Sequence, residues 1–524
     1  VDYFEEFVQA IVTGEVRSRD DVLRLKARMC KKHGLKRVPT NHEILEHVPE
    51  EYLDLVGPLL MNKPIRTMSG VAPVAVMTSP CDCPHGRCIY CPGGAANNTP
   101  QSYTGKEPAA RRAADHEYDP YGQTKARLEQ FRAIGHRTDK VDLIVMGGTF
   151  TSRPVEYQDW FVKRCFDAMN GSESEDLASA HLANETAPAR CVGMTVETRP
   201  DWFKAPQLEH AMSLGATKVE FGVQSLDDAV LDGVKRGHHV SDVVDATRRA
   251  KDAGLKVCYH MMPGLPGSSP ENDLSDFVRL FEDDRFKPDM LKIYPTLVIK
   301  GTELFEMWER GTYTPPALDD MVRLLARAKR VVPPWVRILR VQRDIPVQLI
   351  EAGVMKSHLR EIVLAQMRDE GSPCRCIRCR EVGHVPKARE LPEDVGVELR
   401  STGYGASGGI ETFLSFEIPS IDSLIGYARL RFPADGGRAA LVRELHVYGQ
   451  LVPIDEPGGR HWQHKGFGER LLRECERRSA EAGFEEIRVT SGVGARNYYR
   501  RLGYERDGMY MAKRMDGSSR PATV

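Results

Sequence analysis

Cys81-Asp-Cys-Pro-His-Gly-Arg-Cys-Ile-Tyr-Cys-Pro-Gly-Gly94 places four cysteines within eleven residues. Pro84, Gly86, Pro92, Gly93 and Gly94 keep the segment an irregular loop. Cys88 and Cys91 are spaced C-x2-C, and Cys83 stands upstream across a four-residue gap, so three thiolates can converge on one metal centre. Two disulfides are the bland alternative. No signal-peptide pattern opens the sequence, and most of the other cysteines are isolated, as in a reducing compartment. Four cysteines could instead close a tetrahedral zinc site. Three cysteines hold three irons of a 4Fe-4S cluster and leave the fourth iron open. The Pro-Gly-Gly that follows and the long β/α pattern downstream favour the cluster, with Cys81 spare.

That pattern begins at residue 73. Short β-rich runs recur at Val74–Met77, Val141–Met146, Cys191–Val196, Thr217–Val223, Leu255–Met262, Met290–Tyr294 and Val336–Val341. Helix-length segments such as Tyr121–Ile134 and Val240–Ala253 separate them. The alternation predicts an α/β fold, a parallel sheet with crossover helices that is either a partial or a full barrel. Chemistry in such folds sits beyond the carboxyl ends of the strands. There stand Gly147-Gly148-Thr149, Glu197-Thr198-Arg199-Pro200, Gln224-Ser225 and Pro263-Gly-Leu-Pro266. Singly each has a plain reading: Gly147-Gly148 as a tight turn, Glu197 as a partner of Arg199. Together with C-x4-C-x2-C they resemble a radical S-adenosylmethionine (SAM) enzyme. The resemblance implies that Cys83, Cys88 and Cys91 carry the cluster. It also implies that Gly147, Gly148, Glu197, Gln224 and Lys292 line the SAM pocket.

The bulk numbers exclude some classes. A chain of 524 residues with 41% apolar residues holds two or three globular cores. No apolar run approaches membrane-spanning length. A formal net charge of -1 means that any nucleic-acid surface must be local. Residues 1–66 read as a helical extension, with Phe4, Phe7, Val8, Ile11 and Val12 on one face. The segment that follows carries Arg24, Lys26, Arg28, Lys31, Lys32, Lys36 and Arg37 with no acidic residue between them. It is either a solvated helix face or a phosphate-binding surface for tRNA.

After the barrel segment (67–345), residues 346–394 read as a linker. Cys374-Arg-Cys-Ile-Arg-Cys379 suits a small zinc site that staples it. His384 is a candidate fourth ligand, and His358 or the distant Cys81 are alternatives. From 395 to 515 the pattern becomes antiparallel, with strands at Ser423–Phe432 and Ala440–Tyr448, and 516–524 is a tail. Gln463-His464-Lys465-Gly466-Phe467-Gly468 then leads into a helix, where Q-x-x-G-x-G makes a nest of backbone N–H groups suited to a pyrophosphate. With Asn497-Tyr498-Tyr499-Arg-Arg-Leu-Gly-Tyr504 downstream, the segment resembles the GNAT acetyltransferase fold. That resemblance implies acetyl-CoA held by Glu444, Leu445, His446, Val447, the Gln463–Gly468 nest, Tyr498 and Tyr499, the two tyrosines doubling as catalytic candidates.

The joint occurrence of these two units is uncommon. Tyr118-Asp-Pro-Tyr121, Val145-Met-Gly-Gly-Thr149, Gly222-Val-Gln-Ser225, His260-Met-Met-Pro263, Leu291-Lys-Ile-Tyr-Pro-Thr296, Val341-Gln-Arg-Asp-Ile-Pro346 and Arg443-Glu-Leu-His-Val-Tyr-Gly449 are further points of likeness. The chain resembles the catalytic subunit family of Elongator in its archaeal and bacterial form. The resemblance implies 5-carboxymethyluridine synthesis at wobble position 34 of tRNA. A 5′-deoxyadenosyl radical takes a hydrogen from the acetyl methyl, and the carbon radical adds to C5 of the uridine. Thioester hydrolysis then releases CoA. Lys292 would polarise the thioester carbonyl or assist hydrolysis, or else only pair with a barrel carboxylate. The implied partners are the tRNA anticodon stem-loop, acetyl-CoA and an electron donor, in the cytoplasm, as a monomer or homodimer. Because the radical is short-lived, the GNAT unit is expected to dock over the carboxyl-end face of the barrel. Tyr103, Tyr118 and Tyr121 are candidates to stack on a flipped base. Two other readings remain: a lysine acetyltransferase with Glu444 as base, and a non-catalytic RNA-binding scaffold.

Overall fold

A computed structural model of the chain describes residues 2–16, 19–35, 37–60, 70–385, 395–434, 437–448 and 466–515. Lys36 and Gln463, His464 and Lys465 of the nest lie outside these residues.

The central body is a parallel sheet of seven strands. These are β1 (Ala72–Met77), β2 (Lys140–Met146), β3 (Arg190–Thr198), β4 (Lys218–Gln224), β5 (Lys256–Met261), β6 (Met290–Ile293) and β8 (Arg337–Arg340), adjacent in that order. All the pairings are parallel, so each connection crosses over outside the sheet. The sheet does not close, because β8 is not paired with β1. It is nevertheless strongly curved. Lys292 on β6 reaches Glu197 on β3 at 3.4 Å, whereas strands three places apart in a flat sheet stand about 14 Å apart. The barrel is therefore partial. A short ribbon of β7 (Val298–Ile299) and β9 (Ile350–Ala352) borders it.

Period-two alternation sorts the strand residues. Val141, Leu143 and Val145, Val219, Phe221 and Val223, and Val257, Tyr259 and Met261 pack outward against the helices as one core. The intervening residues, among them Asp142, Lys218, Glu220, Lys256, Cys258, His260 and Lys292, face the concave interior.

The second sheet runs β10 (Glu398–Ala406), β11 (Gly409–Ile418), β12 (Ser423–Phe432), β13 (Ala439–Val447), β14 (Glu486–Val489), with β15 (Glu505–Asp507) beyond β16 (Tyr510–Arg514). The first four strands are antiparallel, and the expected strands at 423–432 and 440–448 are β12 and β13. β13 and β14 are parallel but paired only over Ala439–Val442 and Glu486–Val489. The pairing stops at Val442 because β14 ends at Val489, while β13 runs on to Val447. Helix Phe467–Glu481 packs on this sheet through Phe467, Leu471, Leu472 and Cys475.

The docking of the two bodies corrects the expectation from the sequence. Arg443 on β13 donates to the carbonyl of Leu255 (2.8 Å) and to both carboxylate oxygens of Asp289 (2.6 and 2.8 Å). Leu255 and Asp289 immediately precede β5 and β6. Tyr510 donates to the Ala253 carbonyl, and Arg496 pairs with Glu185 ahead of β3. A Cβ at Gly492 would meet the Val192 carbonyl at 2.2 Å. The second sheet thus covers the amino ends of the barrel strands, opposite the cysteine loop. Proximity of reactants fixes a distance between them, not the face by which a domain must approach.

The N-terminal residues form a small separate core. Tyr3, Phe7, Val8 and Ile11 of helix Tyr3–Val12 meet Val22, Leu25 and Met29 of helix Arg19–Lys32, with Val56 and Leu60. Here the premise of an uncompensated basic run fails. Arg24 pairs with Asp21, Arg28 with Glu15, Lys32 with Glu6 and Arg37 with Glu43. Lys26 is buried against Asn41. The acids come from neighbouring segments, where sequence order does not show them. Lys31 remains exposed.

Candidate active site

The cysteine loop lies at the carboxyl end of the partial barrel, and each of its three inner sulfurs is met by polar groups from the loop itself or from other loops at that end. Gln101 Nε2 donates to Cys91 Sγ at 3.0 Å, and Ser102 Oγ lies 3.5 Å from it. His85 Nε2 is 3.2 Å and Arg236 Nη1 3.7 Å from Cys88 Sγ. Thr149 Oγ1 is 3.6 Å from Cys83 Sγ. Such donors suit thiolates, whose negative charge they stabilise. Burial raises the Cys83 thiol pKa, opposed by Thr149, Arg236 and Arg199. Cys81 stands apart, its Sγ turned to the Asp82 carbonyl.

The two cysteine clusters differ in spacing. A single zinc ion with bonds of about 2.3 Å needs its sulfurs about 4 Å apart. Among the described residues, the sulfurs of Cys374, Cys376 and Cys379 lie mutually within 4.8 Å, whereas those of Cys83, Cys88 and Cys91 do not form so tight a group. The first trio fits one ion and the second fits a larger cluster. His384 does not complete the tighter trio, which corrects its candidacy. Its Nε2 lies 2.9 Å from Glu381, a carboxylate also held by Arg337. Neither His358 nor Cys81 joins the group. The segment is nonetheless a staple: Ile377 N–H donates to Val336 O and Val382 N–H to Leu424 O, tying it to both sheets.

Beside the loop opens a pocket lined by Cys83, Tyr103, Gly148, Thr149, Glu197, Glu220, Gln224, Arg236, His260, Tyr294 and Arg343. Gly147 and Gly148 have φ of +132° and +100°, and a Cβ on Gly147 would stand 2.0 Å from Thr78 Oγ1. Only glycine permits this close passage of the strand end. Gln224 holds φ +75°, a strained conformation for its type, and its buried Oε1 has no hydrogen-bond partner. A ligand donor would satisfy it. Glu197 accepts from Tyr103 Oη at 3.0 Å and faces Lys292, while Arg199 pairs instead with Asp201.

Lys292 is held between carboxylates. Its Nζ pairs with Glu220 and lies 3.4 Å from Glu197, and His260 Nε2 lies 2.8 Å from Glu220. Burial alone would lower the Lys292 pKa, but Glu220, Tyr294 and Glu197 hold it well above the ordinary value. Burial would raise Glu220, and Lys292, Lys218 and His260 hold it well below. The lysine is an ammonium cation at neutral pH, a hydrogen-bond donor and not a base.

Of the aromatic candidates, Tyr103 lies in the pocket with Arg343 over its ring at 5.9 Å. Tyr121 lies under Arg164, and Tyr118 borders a separate shallow pocket with Trp160.

At the second site, Gly466 caps helix Phe467–Glu481 with φ +72°, leaving the first-turn N–H groups of the helix directed outward. A Cβ on Gly468 would meet Tyr498 Oη at 2.9 Å and Val447 at 3.7 Å, so strand, helix and tyrosine converge there. Burial raises the Tyr498 hydroxyl pKa to about 12. Phe467 and Tyr499 are core residues: Phe467 packs on Phe416 and Tyr499 on Tyr504. Leu445 packs against the same core. His446 packs at a tilt of 41° against Tyr448, and Glu444 accepts from Arg429 Nε at 2.8 Å.

The sulfur-facing donors Gln101, His85 and Arg236 carry no local signal in the sequence. Gly-His-His after Arg236 and the Gln101-Ser pair are ordinary loop residues until the fold folds them over the cysteines.

Comparison with known proteins agrees with this geometry. Residues 1–68 match the ELP3 N-terminal domain, 79–281 the Radical SAM superfamily, 288–369 the Radical_SAM C-terminal domain and 459–515 the acetyltransferase (GNAT) domain. The tRNA uridine(34) acetyltransferase of Methanocaldococcus jannaschii is 51% identical over 490 residues, 91% of each chain. Human Elongator complex protein 3 is 43% identical over 525 residues, covering 97% of this chain and 96% of that one. A solved structure of archaeal Methanocaldococcus infernus Elp3 with an N-terminal deletion (1–46) superposes with a TM-score of 0.76 at 46% identity, over 86% of this chain and 100% of that one.

Proposed function

The chain belongs to the family of the tRNA uridine(34) acetyltransferases and Elongator protein 3, and we propose that it forms 5-carboxymethyluridine at the wobble position of tRNA with acetyl-CoA as carbon source. The observation that carries the reading is the convergence of Gln101, His85, Arg236 and Thr149 on three sulfurs spaced for a cluster, beside a pocket with an unsatisfied Gln224.

Cys83, Cys88 and Cys91 would hold a 4Fe-4S cluster. With SAM and one electron from a donor it supplies the radical that removes hydrogen from the acetyl methyl. The chain's own residues do the rest. Gly147 and Gly148 admit the cofactor backbone, and Glu197 and Gln224 hydrogen-bond it. Lys292, fixed as a cation by Glu220 and Glu197, stabilises negative charge on the thioester carbonyl oxygen as water attacks and CoA leaves. Gly466, Phe467 and Gly468 offer backbone N–H groups to the CoA pyrophosphate, with Tyr498 alongside. Tyr103 is placed to stack on the extruded base. Cys374, Cys376 and Cys379 hold zinc as a structural staple. The N-terminal helices contact tRNA backbone through the exposed Lys31.

The lysine acetyltransferase reading is weaker, because its base, Glu444, is buried and occupied by Arg429. The test is protein prepared without oxygen. One 4Fe-4S cluster per chain and reductive SAM cleavage that each of Cys83→Ala, Cys88→Ala and Cys91→Ala abolishes support the reading. Colourless protein that acetylates lysine peptides at full rate refutes it.

A further inference from the structure

The His85 ring is given over to one of the cysteine sulfurs. Its Nε2 lies 3.2 Å from Cys88 Sγ, while its Nδ1 is buried with no hydrogen-bond partner. A thiolate only accepts, so Nε2 is the nitrogen that carries a proton toward it. The motif itself sets up this approach. His85 stands three residues before Cys88, and the chain turns back between them, with the Gly86 N–H donating to the Cys83 carbonyl at 3.0 Å. The segment after helix Asp228–Gly233 then closes over the ring. A Cβ on Gly237, which has φ +72°, would stand 2.9 Å from His85 Cβ and 3.1 Å from its Cδ2, so only glycine lets that segment lie on the imidazole. Arg236 is the more distant donor at the same sulfur, at 3.7 Å, and its Nε and Nη2 are committed to the Gly222 carbonyl at 3.2 and 2.6 Å. Packing does not account for a histidine here. An apolar ring would fill the space beneath Gly237 without burying an unsatisfied nitrogen, which is unfavourable wherever it occurs.

We propose that His85 sets the reduction potential of the cluster held by Cys83, Cys88 and Cys91, as a positioning residue that acts through the Cys88 sulfur. The proposal rests on the function proposed above. Reduction adds negative charge at the thiolates, and a donor aimed at a sulfur stabilises the reduced form more than the oxidised one. The electron comes from the one-electron donor that the reaction requires, which is oxidised as the cluster is reduced. No bond forms or breaks in this step and no proton moves. His85 thereby raises the potential toward that of the donor and enlarges the fraction of protein ready to cleave SAM. Gln101 and Ser102 serve Cys91, and Thr149 serves Cys83, so replacing His85 leaves the donors at the other two sulfurs in place.

The test separates the hydrogen bond from the packing. His85→Phe keeps a ring beneath Gly237 and removes the donor, and His85→Gln keeps a donor without the ring. Each full-length variant is reconstituted without oxygen, its iron and sulfide are counted, and its midpoint potential is read by electron paramagnetic resonance during a reductive titration. In His85→Phe the reduction equilibrium constant should fall about tenfold, which for one electron lowers the midpoint by about 59 mV. His85→Gln should recover most of that shift. If His85→Phe holds no cluster, His85→Leu is titrated in its place. A wild-type midpoint in an apolar variant that holds a full cluster overturns the proposal, since a packing role would move stability and leave the potential alone. If neither apolar variant assembles a cluster, His85 serves assembly and the proposal is likewise overturned. A wild-type chain that binds no iron–sulfur cluster instead overturns the proposed function.

Discussion

Asp289→Asn measures what holds the second sheet on the barrel. The carboxylate accepts from Arg443 Nη2 at 2.6 Å and Nη1 at 2.8 Å, and from the Val257 N–H at 2.8 Å. Arg429 lies 3.7 Å and Lys251 3.8 Å away. All four side chains are fully buried. Burial alone would raise the Asp289 pKa, but Arg443, Lys251 and Arg429 hold it far below the ordinary carboxylate value. Asparagine keeps the volume and the acceptor for Val257, so the change removes charge and leaves three buried cations one anion short. Breaking a buried pair in this way costs about 3–5 kcal/mol, or roughly two to four powers of ten in the docking equilibrium. Denaturant unfolding, with hydrogen exchange at β13 and at Lys251–Leu255, reads the loss. Combining it with Arg443→Gln should cost less than the sum of the single changes. Because the folded pKa is depressed, the aspartate's contribution is present above its unfolded value of about 3.9 and fades as pH falls below it. The penalty of the variant should shrink in acid. A loss under about 1 kcal/mol at pH 7 refutes the account of the interface.

Four further outcomes are expected. Gly468→Glu should cut acetyl-CoA affinity sharply and spare SAM binding, since its side chain would enter the space of Tyr498; undiminished acetyl-CoA affinity makes the segment a mere turn. Lys31→Glu should weaken all tRNAs alike and lower the salt slope by about 1; an unchanged slope removes the N-terminal helices from the tRNA surface. Cys376→Ser should lose zinc, read by elemental analysis, and loosen the staple between β8 and β12; full zinc content contradicts the assignment. Burial raises the Asp273 carboxyl to about 6, against hydrogen bonds from Ser268 and the Gly264 N–H. It opposes folding above that pH, and the penalty disappears as pH falls toward the unfolded value, a change on the order of 3 kcal/mol. Asp273→Asn should flatten that part of the stability–pH curve, and an identical curve excludes Asp273 as its source.

Much of this was legible in the sequence because it is local. The strands of the barrel announce themselves by short apolar runs, and Gly147-Gly148 and C-x4-C-x2-C are contiguous patterns. What failed was long-range. The acids that neutralise Arg28, Lys32 and Arg37 come from Glu15, Glu6 and Glu43 on other segments, and no charge count along the chain reveals them. Arg199 was a plausible partner for Glu197 by proximity in sequence, yet Asp201 takes it and Lys292, nearly a hundred residues away, takes Glu197. His384 suited a zinc tetrahedron by spacing and is drawn off by Glu381. The choice of docking face was the largest error. Glu444 is expected from the sequence to hold acetyl-CoA, and nothing in the local pattern of Arg443-Glu444 shows that Arg443 binds Asp289 at the amino ends of the barrel and that Glu444 is held by Arg429.

The most direct measurement is nucleoside mass spectrometry of tRNA incubated anaerobically with the reconstituted protein, reductant, SAM and acetyl-CoA labelled with carbon-13 in both acetyl carbons. The account predicts 5-carboxymethyluridine at position 34 carrying both labelled carbons, formed only when SAM is cleaved. A labelled acetyl ester or amide on the tRNA, formed without SAM, would contradict it.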